Sequence, residues 1–437
     1  YAGVCILDQL AYFGIHCGSF LGRVADQMPE FLELVPPHIA LNTWMAQLPI
    51  ELEAEEISSD AGLGRVTISP VISDQPLPAF TRSTVDGYAV RAEDSYGASE
   101  SLPAYLSLVG EIPMGGLAKY VLLVGQCALI HTGGMLPTGA NAVVMLEHTQ
   151  IVRPGEVEIL RAVAAGENTL EVGEDVRAGE PVIPAGTKLR PVEIGGLMAL
   201  GYTRLQVVRK PRVGILSSGD EVVPPGTVPN PGQVRDVNAY TLSALVEAAG
   251  GVPIRYGIVT DDAAALDTAV SKALPACDLL VITAGSSASA RDLTAEAINR
   301  LGQPGILVHG VNIRPGKPTI LAVCDGKGVI GLPGNPVSAL VIAWLFVTPA
   351  VEALNGLKNR RQRQSCTAHL ASNLPSQAGR EDWVPVKLVE GKHEIVAEPV
   401  YGKSNLIFTL VRADGLVRIP PDVTGLNAGE LVEVVFL

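Results

Sequence analysis

Between residues 209 and 355 the chain alternates short, unbroken apolar runs with longer stretches in which apolar side chains recur every three or four positions. Residues 212–217, 253–259, 278–283 and 328–332 read as strands, 212–217 and 278–283 as buried ones. Residues 238–250, with Leu242, Leu245, Val246 and Ala249 on one face, read as a helix, as do 262–274, 293–301 and the apolar run from Val337. Strands alternating with helices predict a doubly wound parallel sheet covered on both faces, with ligands at the carboxyl ends of its strands.

On either side the pattern changes. Short β runs at 105–109, 120–124, 142–146 and 156–160, separated by Gly and Pro, predict a β domain inserted into a longer element. Residues 181–189 form a strand–turn–strand signature and 191–200 a helix. Short strands return at 383–388, 394–399, 415–419 and 431–437 and predict a terminal β barrel. Near the start, Pro36-Pro37 interrupts the chain, and Asn42 is placed to cap a helix carrying Trp44, Met45 and Leu48. The predicted division is an N-terminal segment 1–40 without an assigned role, an elongated helical linking domain 41–78 plus 180–208, an inserted β domain 79–179, an α/β domain 209–357 and a C-terminal β-barrel domain 358–437.

Composition narrows the function. A chain of 437 residues, 47% hydrophobic and 18% charged, has material for several packed cores. Its formal charge of −13 argues against non-specific nucleic-acid binding, while leaving room for a local cluster of donors around a small anion. The six cysteines, Cys5, Cys17, Cys127, Cys277, Cys324 and Cys366, form no CxxC pair and read as reduced thiols of a cytoplasmic protein. The seven histidines lack metal-ligand spacing, so no zinc site is expected. No run reaches the roughly 18 uncharged apolar residues of a membrane span. The nearest, 339–350, reads as a buried helix. Residues 1–20 are apolar but contain Asp8 and no basic start, which makes a poor signal peptide.

Six motifs carry candidate chemistry. Asp86-Gly87-Tyr88 follows a polar turn and places a carboxylate where glycine allows another backbone to come close. Thr132-Gly133-Gly134 ends a strand with a hydroxyl and amide groups suited to an anion. Ser217-Ser218-Gly219-Asp220-Glu221 and Thr283-Ala284-Gly285-Ser286-Ser287 each follow a buried strand. In a wound sheet they share one edge, where acids for Mg²⁺ lie beside a phosphate cradle at a helix N-terminus. Arg314-Pro315-Gly316-Lys317 brings positive charge, and Pro333-Gly334-Asn335-Pro336, followed by Ser338, makes a stiff loop that opens a helix.

In this order, from Leu41 to Leu437, the motifs resemble the molybdopterin molybdenumtransferase family, which includes the MoeA proteins and the E domain of gephyrin. Leu63-Gly64-Arg65-Val66, Gly173-Glu174-Asp175 and Ala428-Gly429-Glu430-Leu431-Val432 add to the resemblance. It implies a transferase that inserts molybdate into adenylylated molybdopterin, releases AMP and requires Mg²⁺. It also implies a homodimer whose inserted β domain completes the partner's cleft. Molybdopterin adenylyltransferase and molybdoenzyme acceptors are the partners it implies, with neither nucleic acid nor membrane among them. By resemblance, Asp86, Thr132, Glu221, Asp261 and Asp292 are catalytic, and Asp220, Glu221, Asp261 and Asp292 bind the metal. Ser217, Ser218, Gly219, Thr283, Gly285, Ser287, Arg314, Lys317, Pro333, Gly334, Asn335, Pro336 and Ser338 bind the cofactor, and Asp175 and Ser404 also match.

The chain departs from the family where basic residues are usual: Leu170, Glu171, Val172, Gly310 and Pro385 stand there instead, and the loop 284–289 is altered. Each lost charged hydrogen bond removes about 1.5–3 kcal/mol of binding. A catalytically weakened pterin-binding or scaffold paralogue is therefore the alternative.

Overall fold

The computed structural model describes residues 33–284, 288–358, 363–391 and 394–437, with backbone only for 288–291. Helix α1 (Pro37–Gln47) opens with Pro37 at its first position, where the missing N–H has no intrahelical partner to lose. Asn42, expected as a cap, therefore lies inside the helix. Ala40, Trp44 and Leu48 recur four apart and are buried in the core of the α/β domain. The Trp44 indole N–H donates to the Ala322 carbonyl at 2.8 Å. This apolar stripe attaches α1 to the wound sheet, not to the linking domain in which a boundary at residue 41 places it.

The wound sheet has six strands: β1 (Arg212–Ser218), β2 (Val252–Val259), β3 (Leu279–Thr283), β4 (Pro304–His309), β5 (Ile320–Cys324) and β6 (Lys327–Leu332). Their spatial order is β2-β1-β3-β6-β5-β4. Neighbours among β2, β1, β3 and β6 pair in parallel, as the alternating pattern predicts, whereas β5 runs antiparallel to both β6 and β4. The reversal comes from Asp325-Gly326, both at positive φ (48° and 78°), a two-residue turn that forces a hairpin. Helices α2 (Asn238–Ala248), α3 (Ala263–Ala273) and α4 (Ala288–Arg300) connect the strands. The chain goes from β1 outward to β2, then returns past β1 to β3. The order thus reverses between β1 and β3, and their carboxyl ends flank the crevice in which such sheets hold ligands.

After β6 the chain enters α5 (Pro336–Ile342), and helical structure continues through a π turn at Ala343–Val347 to Leu354. This run is long and apolar enough to cross a membrane, yet 78% of it is buried inside the protein, as the sequence suggested for a core helix. Trp344 packs edge-on against Trp383 of the C-terminal domain, ring centroids 5.5 Å apart. There Ser365–Leu370, Glu381–Glu390, Ile395–Pro399, Gly415–Ile419 and Leu431–Phe436 close into a five-stranded barrel.

The inserted domain is a six-stranded sheet in the order Ala142–Met145, Gly87–Val90, Gln126–Ile130, Ala104–Glu111, Glu156–Ile159, Thr149–Arg153. The predicted strand at 120–124 is absent: Val121 makes one isolated bridge, and Val121, Leu123 and Val124 are exposed. Gly125, at φ 74°, turns the chain so that pairing begins at Gln126. The linking domain pairs Ala54–Ser58 with Arg204–Val208 and Val71–Ile72 with Pro181–Ile183. It packs Leu197 of the helix Pro191–Ala199 into its own small core. The four described cysteines are free thiols; burial pushes Cys127 up to about 12.

Trp44 is fully buried and fastens α1 across the sheet. Trp44→Ala should therefore destabilise the protein by roughly 3–5 kcal/mol, read from the urea midpoint. A loss under 1 kcal/mol would mean that α1 adds little to this core.

Candidate active site

The carboxyl ends of β1 and β3 lie side by side, with Ser217 opposite Thr283 in the parallel register. Thr283 Oγ1 donates to Ser217 Oγ at 3.3 Å, and Ser217 Oγ donates to Asp236 Oδ2 at 2.9 Å. Asp236 is buried, and its other oxygen accepts the Ala239 N–H at 3.0 Å in the first turn of α2. One carboxylate thus caps a helix and fixes the hydroxyl at the end of the central strand. Ser218 is buried beside them. Gly219 (φ 146°) could not carry a side chain, since a Cβ there would lie 2.7 Å from Val222.

The loop 333–338 joins this edge from β6. Gly334 O accepts the Asn238 amide at 2.8 Å, and the Val337 N–H donates to Ser404 O at 3.0 Å, tying the loop to α2 and to the C-terminal domain. Pro333 and Ser338 are buried, while Gly334, Asn335 and Pro336 are half-buried. The buried Asn238 Oδ1 has no hydrogen-bond partner among the described residues. Ser217, Ser218, Gly219, Thr283, the 333–338 loop and Ser404 are thus brought to one edge. Gly285 and Ser287 lie outside the described residues.

Three of the four expected metal carboxylates converge. Asp220 Oδ1 accepts the Asp261 N–H at 3.1 Å. The Asp261 carboxyl is pushed above its ordinary value, first by burial and then by repulsion from Glu221 and Asp220. Asp292 stands exposed on α4 and is not among the groups acting on Asp261. Among the described residues no group of three Asp, Glu, His or Cys forms a ready metal cage. Crowded like charges with no cation paired to them among the described residues nevertheless suit a hydrated Mg²⁺, which takes few protein ligands.

Asp86 and Thr132 form a separate half-site in the inserted domain. Gly87 opens a central strand, and a Cβ there would meet Val144 O at 2.0 Å, the close backbone approach that Asp-Gly-Tyr suggested. The Thr-Gly-Gly turn, however, has no free amides for an anion. Thr132 N–H and Oγ1–H both donate to Asp86 Oδ1 (2.7 and 3.2 Å), Gly133 N–H to Ser83 O, and Gly134 N–H to His131 O. The Thr132 amide holds the Asp86 carboxyl below its usual range. Among the described residues, no hydrogen bond or ion pair joins 79–179 to the wound sheet. Asp175 is exposed in the turn leading out of this domain.

Positive charge is scarce. Arg314 lies 3.7 Å from the buried Asp382, which Arg380 already grips with two nitrogens, so its charge is partly committed. Lys317 makes no ion pair among the described residues. Gly310 sits at φ 108°, a backbone that a lysine would adopt only under strain.

A cavity of about 400 Å³ opens at the opposite end of the sheet, lined by Glu53, Arg209, Arg212, Asp278 and Lys327 among others. Its charges already satisfy one another: Arg209 spans Asp278 (3.1 and 3.1 Å) and Glu53, and the Arg212 N–H donates to Asp278. It is a cleft between the linking and α/β domains, and its lining holds no hydroxyl and none of the crevice acids. Sequence reasoning missed Asp236 and Asn238. Their signal was an acid and an amide two apart at a helix start, a spacing that also fits ordinary capping.

Comparison with known proteins agrees with this layout. The family models described as "MoeA N-terminal region (domain I and II)", "Probable molybdopterin binding domain" and "MoeA C-terminal region (domain IV)" match residues 35–201, 214–353 and 367–437. A molybdopterin molybdenumtransferase from Nostoc sp. is 34% identical over 396 residues, 90% of each chain. One from Bacillus subtilis is 30% identical, covering 88% of this chain and 90% of its own. The crystal structure of a molybdopterin biosynthesis MoeA protein from Pyrococcus horikoshii superposes with a TM-score of 0.81 at 31% identity, covering 93% of this chain and all of that one.

Folded Asp261 keeps its proton to higher pH than an unfolded aspartate, so its share of stability is lost as pH rises above the ordinary carboxylate value of 3.8. Glu221→Gln should lower the Asp261 midpoint in a carboxyl NMR titration and flatten this decline. An unmoved midpoint would mean that the two carboxylates do not interact.

Proposed function

Because the chain belongs to the MoeA family, whose relatives include molybdopterin molybdenumtransferases, we propose that it inserts molybdate into adenylylated molybdopterin and releases AMP. The observation that carries this reading is the meeting, at the reversal between β1 and β3, of fixed hydroxyls with Asp220, Glu221 and Asp261. Such a crevice can hold a phosphate against hydroxyls and the N-terminal amides of a helix, with acids beside the bond that breaks. Water attacking the phosphoanhydride frees AMP and leaves the second phosphate on the pterin, whose dithiolene sulfurs keep the metal.

Asp220, Glu221 and Asp261 would hold a divalent cation such as Mg²⁺, which would neutralise charge developing on the phosphates. The stiff 333–338 loop, tied to Asn238 and Ser404, holds its shape before the ligand arrives and lowers the ordering cost of binding. Lys317 supplies positive charge nearby. We further propose a homodimer in which Asp86 and Thr132 of one subunit reach the crevice of the other. Its support is that these residues sit in a domain that has, among the described residues, no polar link to the wound sheet of its own subunit.

A weakened, pterin-holding role has one specific observation in its favour. The basic positions are replaced, and Gly310 has a backbone on which lysine is not readily restored.

With adenylylated molybdopterin, molybdate and Mg²⁺ the chain should release AMP, and Asp86→Asn or Glu221→Gln should lower turnover about a hundredfold. Saturable molybdopterin binding without AMP would favour the pterin-holding role, and no binding would contradict both.

A further inference from the structure

One ionisable side chain beside Thr132 is used by none of the roles above. His131 follows the strand Gln126–Ile130. Its Nε2 lies 3.0 Å from Oε1 of Glu111, the last residue of the neighbouring strand Ala104–Glu111. Its Nδ1 lies 3.6 Å from Asp86 Oδ1, a polar contact just beyond hydrogen-bond distance. A neutral imidazole has a donor on one ring nitrogen only, so the ring can face both carboxylates as a donor only when doubly protonated. Asp86 and Glu111 are the charged groups within 4 Å of it among the described residues.

The arrangement sorts the two oxygens of Asp86. Oδ1 takes the Thr132 N–H, the Thr132 hydroxyl and the His131 contact, whereas Oδ2 has no hydrogen-bond partner among the described residues. The Asp86 side chain is 55% exposed, so the free oxygen is open to an incoming group. The His131 side chain is itself 37% exposed and is too open to serve mainly as packing.

We propose that His131 is a positioning residue: its ring bridges Glu111 to Asp86, flanks the anchored Oδ1, and keeps Oδ2 presented to the substrate. This rests on the reading of Asp86 as part of the active site.

In the AMP-release assay, His131→Leu should lower kcat about tenfold and leave KM within twofold. His131→Asn, whose amide can place a donor where Nδ1 stands, should recover most of the loss. In an Asp86→Asn background, His131→Leu should add less than twofold, since a residue acting through Asp86 has nothing left to orient. Independently of turnover, His131→Leu should raise the Asp86 midpoint in a carboxyl NMR titration. Unchanged kcat, full additivity with Asp86→Asn, or an unmoved midpoint would each overturn the proposal. A wild-type chain that releases no AMP would instead sink the functional reading, and the Asp86 titration would still decide whether His131 holds that carboxylate.

Discussion

The structure depends on a hydrogen-bonded chain at the point where the wound sheet changes direction. Asp236 is buried, and each of its oxygens accepts one hydrogen bond, from the Ser217 hydroxyl and from an amide in the first turn of α2. Thr283 extends the chain to the next strand. A buried carboxylate without such donors would carry a desolvation penalty of several kcal/mol. With them it fixes the end of β1, the start of α2 and the end of β3 as one unit. The loop 333–338 joins through Asn238, and Asp220 and Asp261 are set beside it by a backbone-to-carboxylate bond.

Against that rigid base the electrostatics are unbalanced. Burial and neighbouring negative charge raise the Asp261 carboxyl above its ordinary value, while among the described residues few cations answer them: Arg314 leans on Asp382 and Gly310 has no side chain. The inserted domain shows the opposite case, a carboxylate held below its usual range by the amide of Thr132. The two acidic half-sites therefore differ in kind. One is strained by like charges and suits a cation, and the other is anchored by donors and leaves one oxygen free.

The wound sheet was legible because its strands are nearly continuous apolar runs and its helices carry one-sided stripes. Strand β5 was not anticipated as an antiparallel member, since its direction is set by the Asp325-Gly326 turn rather than by any periodicity. The false strand at 120–124 is apolar but exposed, and burial is a tertiary property that alternation cannot report. In the site, Ser217, Thr283, Asp220 and Glu221 were legible because each follows or closes a buried strand, and Asp261 because it follows the neighbouring edge strand. Asp292 lies exposed on α4, an orientation that its place in the motif does not report. The amides of Thr132-Gly133-Gly134 misled because two of their partners, Asp86 and Ser83, come from a distant segment of the chain.

The central claim is that this crevice, and not the cleft at the other end of the sheet, receives the phosphates of the substrate. A crystal structure with AMP and Mg²⁺ tests it most directly. The expected result is a phosphate within hydrogen-bond reach of the β3–α4 loop or of the Ser217 and Ser218 hydroxyls, with the cation among Asp220, Glu221 and Asp261. AMP lodged instead between Arg209, Arg212 and Lys327, with the crevice acids uncoordinated, would contradict it.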